Sequence, residues 1–280
     1  LKMSEKKLEQ RKQDEIDFHN KLREVVDDEG VMATHWSPEL EPTIQNNELW
    51  RNMKYYAIER KSREFTKKYW EEKCPGAEVL DYACGNGEDT RDMAKLGAKK
   101  VTGIDISDVS VENGKKLAKQ EGLEDKTEFL VADCEETGFP DNSFDLMNEY
   151  GCFHHLDLSI ALPELARIMK PGGSMITAET LGHNPLIAWY RKSTPELRTP
   201  FEAEHILKKE HYVLMKEYFN KVEIKHYHLF TLAAVPFRNS FFFKPLLAIL
   251  EMLDAVFLKL PIIRWQAWHA ICILSEPKKS

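Results

Sequence analysis

Asp81-Tyr-Ala-Cys-Gly-Asn-Gly87 sets two closely spaced glycines behind a carboxylate, where a short apolar run gives way to a helical pattern. Glycines in such a turn let backbone N–H groups approach a ligand closely, at the positive end of the following helix. Twenty positions after Gly85, Asp105 closes the next apolar run. A carboxylate there can take the two ribose hydroxyls of an adenosine-containing cofactor. A tight turn with a capping aspartate accounts for the glycines alone, but not for Asp105 at this spacing. A dinucleotide fingerprint needs a third glycine or alanine, and Thr90 stands in that place. Glu88, Asp89 and Asp92 crowd the helix start, where a pyrophosphate would dock. Those charges oppose phosphate and suit a cation. S-adenosylmethionine, with a sulfonium, an ammonium and no phosphate, fits that demand.

The elements that must hold these groups lie between residue 78 and about 180. Apolar runs at 78–83, 100–105, 127–132, 144–148 and 174–178 read as strands, separated by helical patterns such as 109–121 and 162–169. Such alternation implies right-handed crossovers and a parallel sheet covered on both faces. Residues 1–75 read as an N-terminal helical extension or lid. Its first helix carries Leu8, Ile16, Phe18, Leu22, Val25 and Val26 among dense charges and stops at 27–30. A loop at 37–42 precedes a second helix bearing Tyr55, Tyr56, Ile58, Phe65, Tyr69 and Trp70, which ends at Cys74-Pro-Gly76. Residues 76–180 form the cofactor-binding core. Residues 181–280 supply substrate-side helices and two closing strands, near 222–229 and 267–274, of the same domain.

Composition narrows the class. The chain has 280 residues and a net charge of −7, which argues against a phosphate-backbone binder, so no nucleic-acid partner is expected. No Asn/Asp-Pro-Pro-Tyr/Phe base-flipping motif follows the fourth strand either. Five cysteines without a C-x-x-C pair read as reduced thiols of a cytoplasmic protein. They follow no ligand spacing, so no metal and no metalloid chemistry is expected.

Val79-Leu-Asp-Tyr-Ala-Cys-Gly-Asn-Gly87, Val101-Thr-Gly-Ile-Asp-Ile-Ser107 and Val131-Ala-Asp-Cys134 occur in order. Phe139-Pro-Asp-Asn-Ser-Phe-Asp145, His154-His155-Leu156 and Leu165-Ala-Arg-Ile-Met-Lys-Pro-Gly-Gly173 follow them. Together these motifs resemble the class I S-adenosylmethionine-dependent methyltransferases of small-molecule or lipid type. The resemblance implies an α/β fold: a Rossmann-like seven-stranded sheet with helices on both faces and a helical insertion between the last two strands. It implies that Asp81 holds the methionine ammonium and that the backbone at Ala83, Gly85 and Gly87 lines the cofactor. It further implies that Asp105 binds ribose, Ile106 packs on adenine, and Asp133 accepts the adenine amino group beside Cys134. Asn148 and Glu149 would border the methionine moiety and the acceptor. Ala83 stands where the family has glycine, and an alanine suits the approach if its φ is negative.

Methyl transfer asks mainly for alignment and exclusion of water, with a base where the acceptor must lose a proton. His155, just after the fourth strand, is the first candidate base, with a structural role as its alternative. His154, His183, Tyr190 and His205 are weaker candidates, and Tyr55 or Tyr56 can cover the cofactor. In residues 241–263, helical spacing puts Lys244, Glu251, Asp254 and Lys259 in one arc with Ala248 and Ala255. Leu246, Ile249, Leu250, Leu253 and Phe257 lie opposite. That helix packs on the core, caps an apolar acceptor pocket, or makes peripheral contact with a membrane. Two bases and two acids on its stripe favour the pocket, and with it a hydrophobic, amphipathic or lipid-like acceptor. An NAD-dependent oxidoreductase and a non-catalytic S-adenosylmethionine-binding module are the competing readings.

Overall fold

The computed structural model describes residues 10–23 and 36–279. Leu8, Val25, Val26 and the expected stop at 27–30 lie outside the described residues. The chain runs through helices α1 (Gln10–Arg23) and α2 (Glu41–Asn46), a 3₁₀ stretch (Glu48–Ile58) and α3 (Arg60–Lys73). The α/β core follows: β1 (Glu78–Tyr82), α4 (Glu88–Lys95), β2 (Lys100–Asp105), α5 (Asp108–Gln120), β3 (Thr127–Val131), β4 (Phe144–Tyr150), α6 (Leu158–Ile168) and β5 (Met169–Thr180). Three helices, α7 (Pro185–Ser193), α8 (Pro200–Glu204) and α9 (Lys209–Tyr218), lead to β6 (Phe219–Tyr227), α10 (Phe243–Phe257) and β7 (His269–Pro277).

The strands form one sheet in the order β3-β2-β1-β4-β5-β7-β6, parallel except for β7, which runs antiparallel to both neighbours. Strands β1 and β2 are buried along nearly their whole length, because helices cover both faces, so they read as apolar runs rather than alternating ones. The strand order reverses between β1 and β4. Loops leaving their C-terminal ends diverge there and open a crevice. The loop after β4 and the one after β1 therefore face a common space.

Three expectations need correction. The reach from Tyr55 to Trp70 is a 3₁₀ stretch and an α-helix that meet at Glu59, not one helix, and α2 begins inside the expected loop, with Pro42 in its first turn. Helix α1 is not held by an apolar stripe. Its buried residue is Glu15, and polar bonds fix it: Arg11 to Glu135, Lys12 to Asp133, and Asn20 to Ser107 and Asp108.

The third correction concerns α10, whose acids face inward. Asp254 is 7% exposed and accepts the backbone N–H groups of Leu229, Phe230 and Thr231 as well as the Thr231 hydroxyl. Glu251 is paired with Arg60. The inward stripe is Phe243, Leu247, Glu251 and Asp254, which leaves Ile249, Met252, Leu253 and Val256 exposed on the outside together with Lys244 and Lys259. Carboxylates that cap a neighbouring segment have turned the apolar face outward. Among the described residues no helix is long and apolar enough to cross a membrane.

Candidate active site

The loop from β1 to α4 has three residues in the left-handed region: Ala83 (φ 58°), Gly85 (φ 51°) and Gly87 (φ 69°). The condition set for Ala83, a negative φ, is not met. A left-handed alanine crowds its Cβ against the following carbonyl at about 1–2 kcal/mol. Ala83→Gly should therefore stabilise the fold by about 0.5–1 kcal/mol, after allowance for the glycine's extra unfolded-state entropy. Urea denaturation reads this directly, and a less stable variant would show that the methyl group's packing outweighs the strain. At Gly87 the reason for glycine is different. A Cβ there would lie 2.2 Å from the Phe129 ring, so the missing side chain admits that ring rather than a ligand.

Asp105 ties two loops together. Its Oδ2 accepts the Gly85 N–H at 2.8 Å and its Oδ1 the Ser107 N–H at 2.9 Å. Each carboxylate oxygen keeps acceptor capacity beyond that one bond. Asp105, Ile106, Asp133 and Cys134 line a cavity of about 110 Å³ at the ends of β2 and β3. Asp133 is engaged as well, by Lys12 Nζ at 2.7 Å and by the Glu135 N–H at 2.8 Å.

Asp81 lies 2% exposed beneath the loop, bonded by the Thr90 hydroxyl at 2.6 Å and the Asn148 amide at 2.9 Å. The same amide reaches Asp89 at 3.3 Å, and Trp70 Nε1 donates to the Asn148 oxygen at 3.2 Å. Burial first, and the Asp89 charge second, push the Asp81 carboxyl up to about 7. Asp89 is paired with Arg63 at 3.3 Å, whereas the side chains bonded to Asp81, Thr90 and Asn148, are neutral. A bound ammonium would favour the ionised form, so binding should release a proton around neutral pH. The sign follows: the affinity for S-adenosylhomocysteine should rise as pH increases from about 6 to about 7.5. Calorimetry in buffers of different ionisation enthalpy measures the released proton, and Asp81→Asn should abolish the trend.

Asn148 and Glu149 do not share a site. Adjacent strand residues point to opposite faces. Asn148 stands behind Asp81, whereas Glu149 is buried beside Glu179, and burial with that neighbouring carboxylate holds its carboxyl well above the usual range. Neither residue lines the cavity at the ends of β2 and β3 or the larger one beside it, and neither does Gly87.

A second cavity of about 460 Å³ adjoins the first, and both share Ala83, Tyr150, Gly151 and His155. It takes in Asp81 and Gly85 at one end and Trp50, Tyr55, Tyr56, Tyr190 and Trp268 at the other. Tyr56, one of the expected covers, packs edge-on against Tyr150. His155 stands at the junction with its Nδ1 2.9 Å from Glu15 Oε2. Burial alone would lower its pKa, but Glu15 and Glu202 raise it. His154 also lines the larger cavity and is paired with Glu179 at 2.7 Å, and Tyr190 donates to Asn52. His183 and His205 line neither cavity: His183 accepts the Lys209 N–H and His205 stacks on Phe201. Sequence reasoning missed Glu15, His19 and Arg23, which α1 brings over the crevice. The available signal was the four-residue spacing of Glu15 and His19 on one helix face.

Residues 80–177 match the family described as Methyltransferase domain. A sterol 24-C-methyltransferase of Gibberella zeae is 38% identical over 100 residues, 35% of this chain and 26% of that protein. The 27-O-demethylrifamycin SV methyltransferase of Amycolatopsis mediterranei is 36% identical over 107 residues, 38% of this chain and 39% of that protein. The chain thus matches only about a quarter to two-fifths of the length of these relatives. The solved geranyl diphosphate C-methyltransferase of Streptomyces coelicolor A3(2) superposes with a TM-score of 0.59 at 14% identity, covering 94% of this chain and 96% of that one. At that identity the likeness is one of fold.

Proposed function

We propose that this chain, which carries a class I S-adenosylmethionine-dependent methyltransferase domain, moves a methyl group to a small hydrophobic or amphipathic acceptor held in the aromatic cavity. The observation that carries the reading is Asp81, buried at the end of that cavity with only neutral side chains, Thr90 and Asn148, bonded to it among the described residues, which suits a cationic methionine head. An NAD-dependent oxidoreductase would instead have to seat phosphates beside Glu88 and Asp89. The sterol and rifamycin relatives act, by their names, on apolar or amphipathic molecules, which supports the acceptor class.

When bound, S-adenosylmethionine supplies an activated methyl group on a sulfonium. The residues of this chain supply position and dryness. Asp81, oriented by Asn148 and Thr90, takes the ammonium, and Asp105 takes the ribose. Ile106, Asp133 and Cys134, which line the smaller cavity, would hold the adenine end. Tyr56, Tyr190 and Trp268 wall off water around the acceptor. His155, at the junction, is placed to take a proton from an acceptor hydroxyl or amine. Peripheral membrane contact through 241–263 and a cytoplasmic setting belong to the same reading. The outward apolar face of α10, with Lys244 in the helix and Lys259 just past its end, supports the first.

The test is calorimetry with S-adenosylhomocysteine and NAD, followed by transfer of labelled methyl to isoprenoid, aromatic and lipid-like acceptors. Preference for S-adenosylhomocysteine with transfer to one such class supports the proposal. Tighter NAD binding refutes it, and cofactor binding without transfer to any acceptor leaves the non-catalytic module.

A further inference from the structure

Glu15 and His19 are four residues apart on α1 and so lie on one helix face. His155 meets them from the 3₁₀ turn Phe153–His155 that follows β4. Glu15 Oε2 is 2.9 Å from His155 Nδ1 and 3.6 Å from His19 Nε2, and the three donor atoms lie within 4.8 Å of one another. A metal bonded at about 2.1 Å to nitrogen and oxygen sets adjacent ligand atoms roughly 3.0 Å apart at a right angle and about 3.4 Å apart at a tetrahedral angle. The two separations from Glu15 bracket those values.

The surroundings suit a metal. Glu15 is 5% exposed, and among the described residues its cation-capable partners are these two imidazoles, with no lysine or arginine. Neutral imidazole and carboxylate are the ligand set of zinc and of open non-haem iron-type sites. The second Glu15 oxygen accepts the buried Thr199 hydroxyl at 2.5 Å, an outer contact of the kind that fixes a ligating carboxylate. The neighbouring His154 and Glu202 are already taken, by Glu179 and by Arg191. His19 and His155 line both cavities, so the remaining coordination positions face the space between them.

We propose that Glu15, His19 and His155 bind one divalent transition-metal ion, which clamps α1 across the crevice and presents open positions to water or an acceptor oxygen. With metal bound His155 is a ligand, and its role as a base belongs to the metal-free site. Sequence reading, which expected no metal, had no access to this site because 136 residues separate His19 from His155. The helix alone supplies two ligands, and the fold brings the third.

The full chain, stripped with chelator, is titrated with Co²⁺ and followed by visible absorption, then competed with Zn²⁺. One equivalent should bind, with a ligand-field spectrum typical of a mixed nitrogen and oxygen site. His19→Ala, a partly exposed position, should weaken uptake about tenfold or more while circular dichroism stays unchanged. Glu15→Gln should do the same. Zn²⁺ should also slow proteolysis within α1 in the wild type and not in His19→Ala. Absence of stoichiometric uptake by the wild type overturns the proposal. So does uptake that survives His19→Ala, or that His154→Ala abolishes in its place. Uptake is read without cofactor or acceptor, so failure here leaves the methyl-transfer proposal standing.

Discussion

Asp105→Ala should weaken S-adenosylhomocysteine binding by roughly 10²–10⁴-fold, the equivalent of two charge-assisted hydrogen bonds at about 1.5–3 kcal/mol each. The structure adds a second consequence. The same carboxylate accepts the Gly85 and Ser107 N–H groups, so alanine also leaves two buried donors unpaired, at about 1–3 kcal/mol of stability each. Denaturation and calorimetry must therefore be read together. Asp105→Asn separates the two effects. Its single amide oxygen can still accept the Ser107 N–H, while its amide hydrogens confront the Gly85 N–H, so both losses should fall between wild type and alanine. Unchanged affinity in a folded Asp105→Ala variant would remove the ribose role from this carboxylate and leave it a loop tie alone.

The parallel half of the sheet was legible because β1, β2 and β4 are buried on both faces and their apolar runs end in glycine or acidic residues at the crevice. The spacing of Gly85 and Asp105 was legible for the same reason: one βαβ unit fixes the distance between neighbouring strand ends, and the two groups prove to be hydrogen-bonded. Features set by partners far along the chain were not legible. The φ of Ala83 depends on how the loop closes over Asp105. The separation of Asn148 from Glu149 was available in the two-residue period of a strand, yet proximity in sequence suggested a shared site. The contact of Glu15 with His155 spans 140 residues and carries no local mark.

The orientation of α10 is the case with the largest consequence. Helical periodicity separates two faces but does not say which is inside. The inward face is decided by the Leu229–Thr231 amides, which need Asp254, and by Arg60, which needs Glu251. The outward face then carries Met252 and Val256, each 62% exposed, and Ile249 at 54%, between Phe241 at 97% and Ile262 at 84%. Contiguous exposed apolar surface of this kind marks an interaction site. The charged residues left exposed between 237 and 263 are Lys244 and Lys259, so the balance of two bases and two acids that spoke against anionic lipid no longer holds. Lysines beside an apolar face suit the headgroup layer of a bilayer, with their stems along the acyl boundary. The expected result is that the wild-type chain sediments with phosphatidylserine-containing vesicles, and that Met252→Glu with Val256→Glu lowers this partition by about 100-fold. That loss corresponds to two half-buried side chains and two added charges facing an anionic surface. Unfolding midpoints should not move, because both positions already face water. Removing Lys244 and Lys259 should cost about 1 kcal/mol each on anionic vesicles and little on neutral ones. Asp254→Ala should behave in the opposite way, losing stability through its orphaned amides while the apolar face stays outward. A wild-type chain that ignores vesicles and instead forms a dimer that Met252→Glu with Val256→Glu dissolves would assign this face to a second copy of the protein.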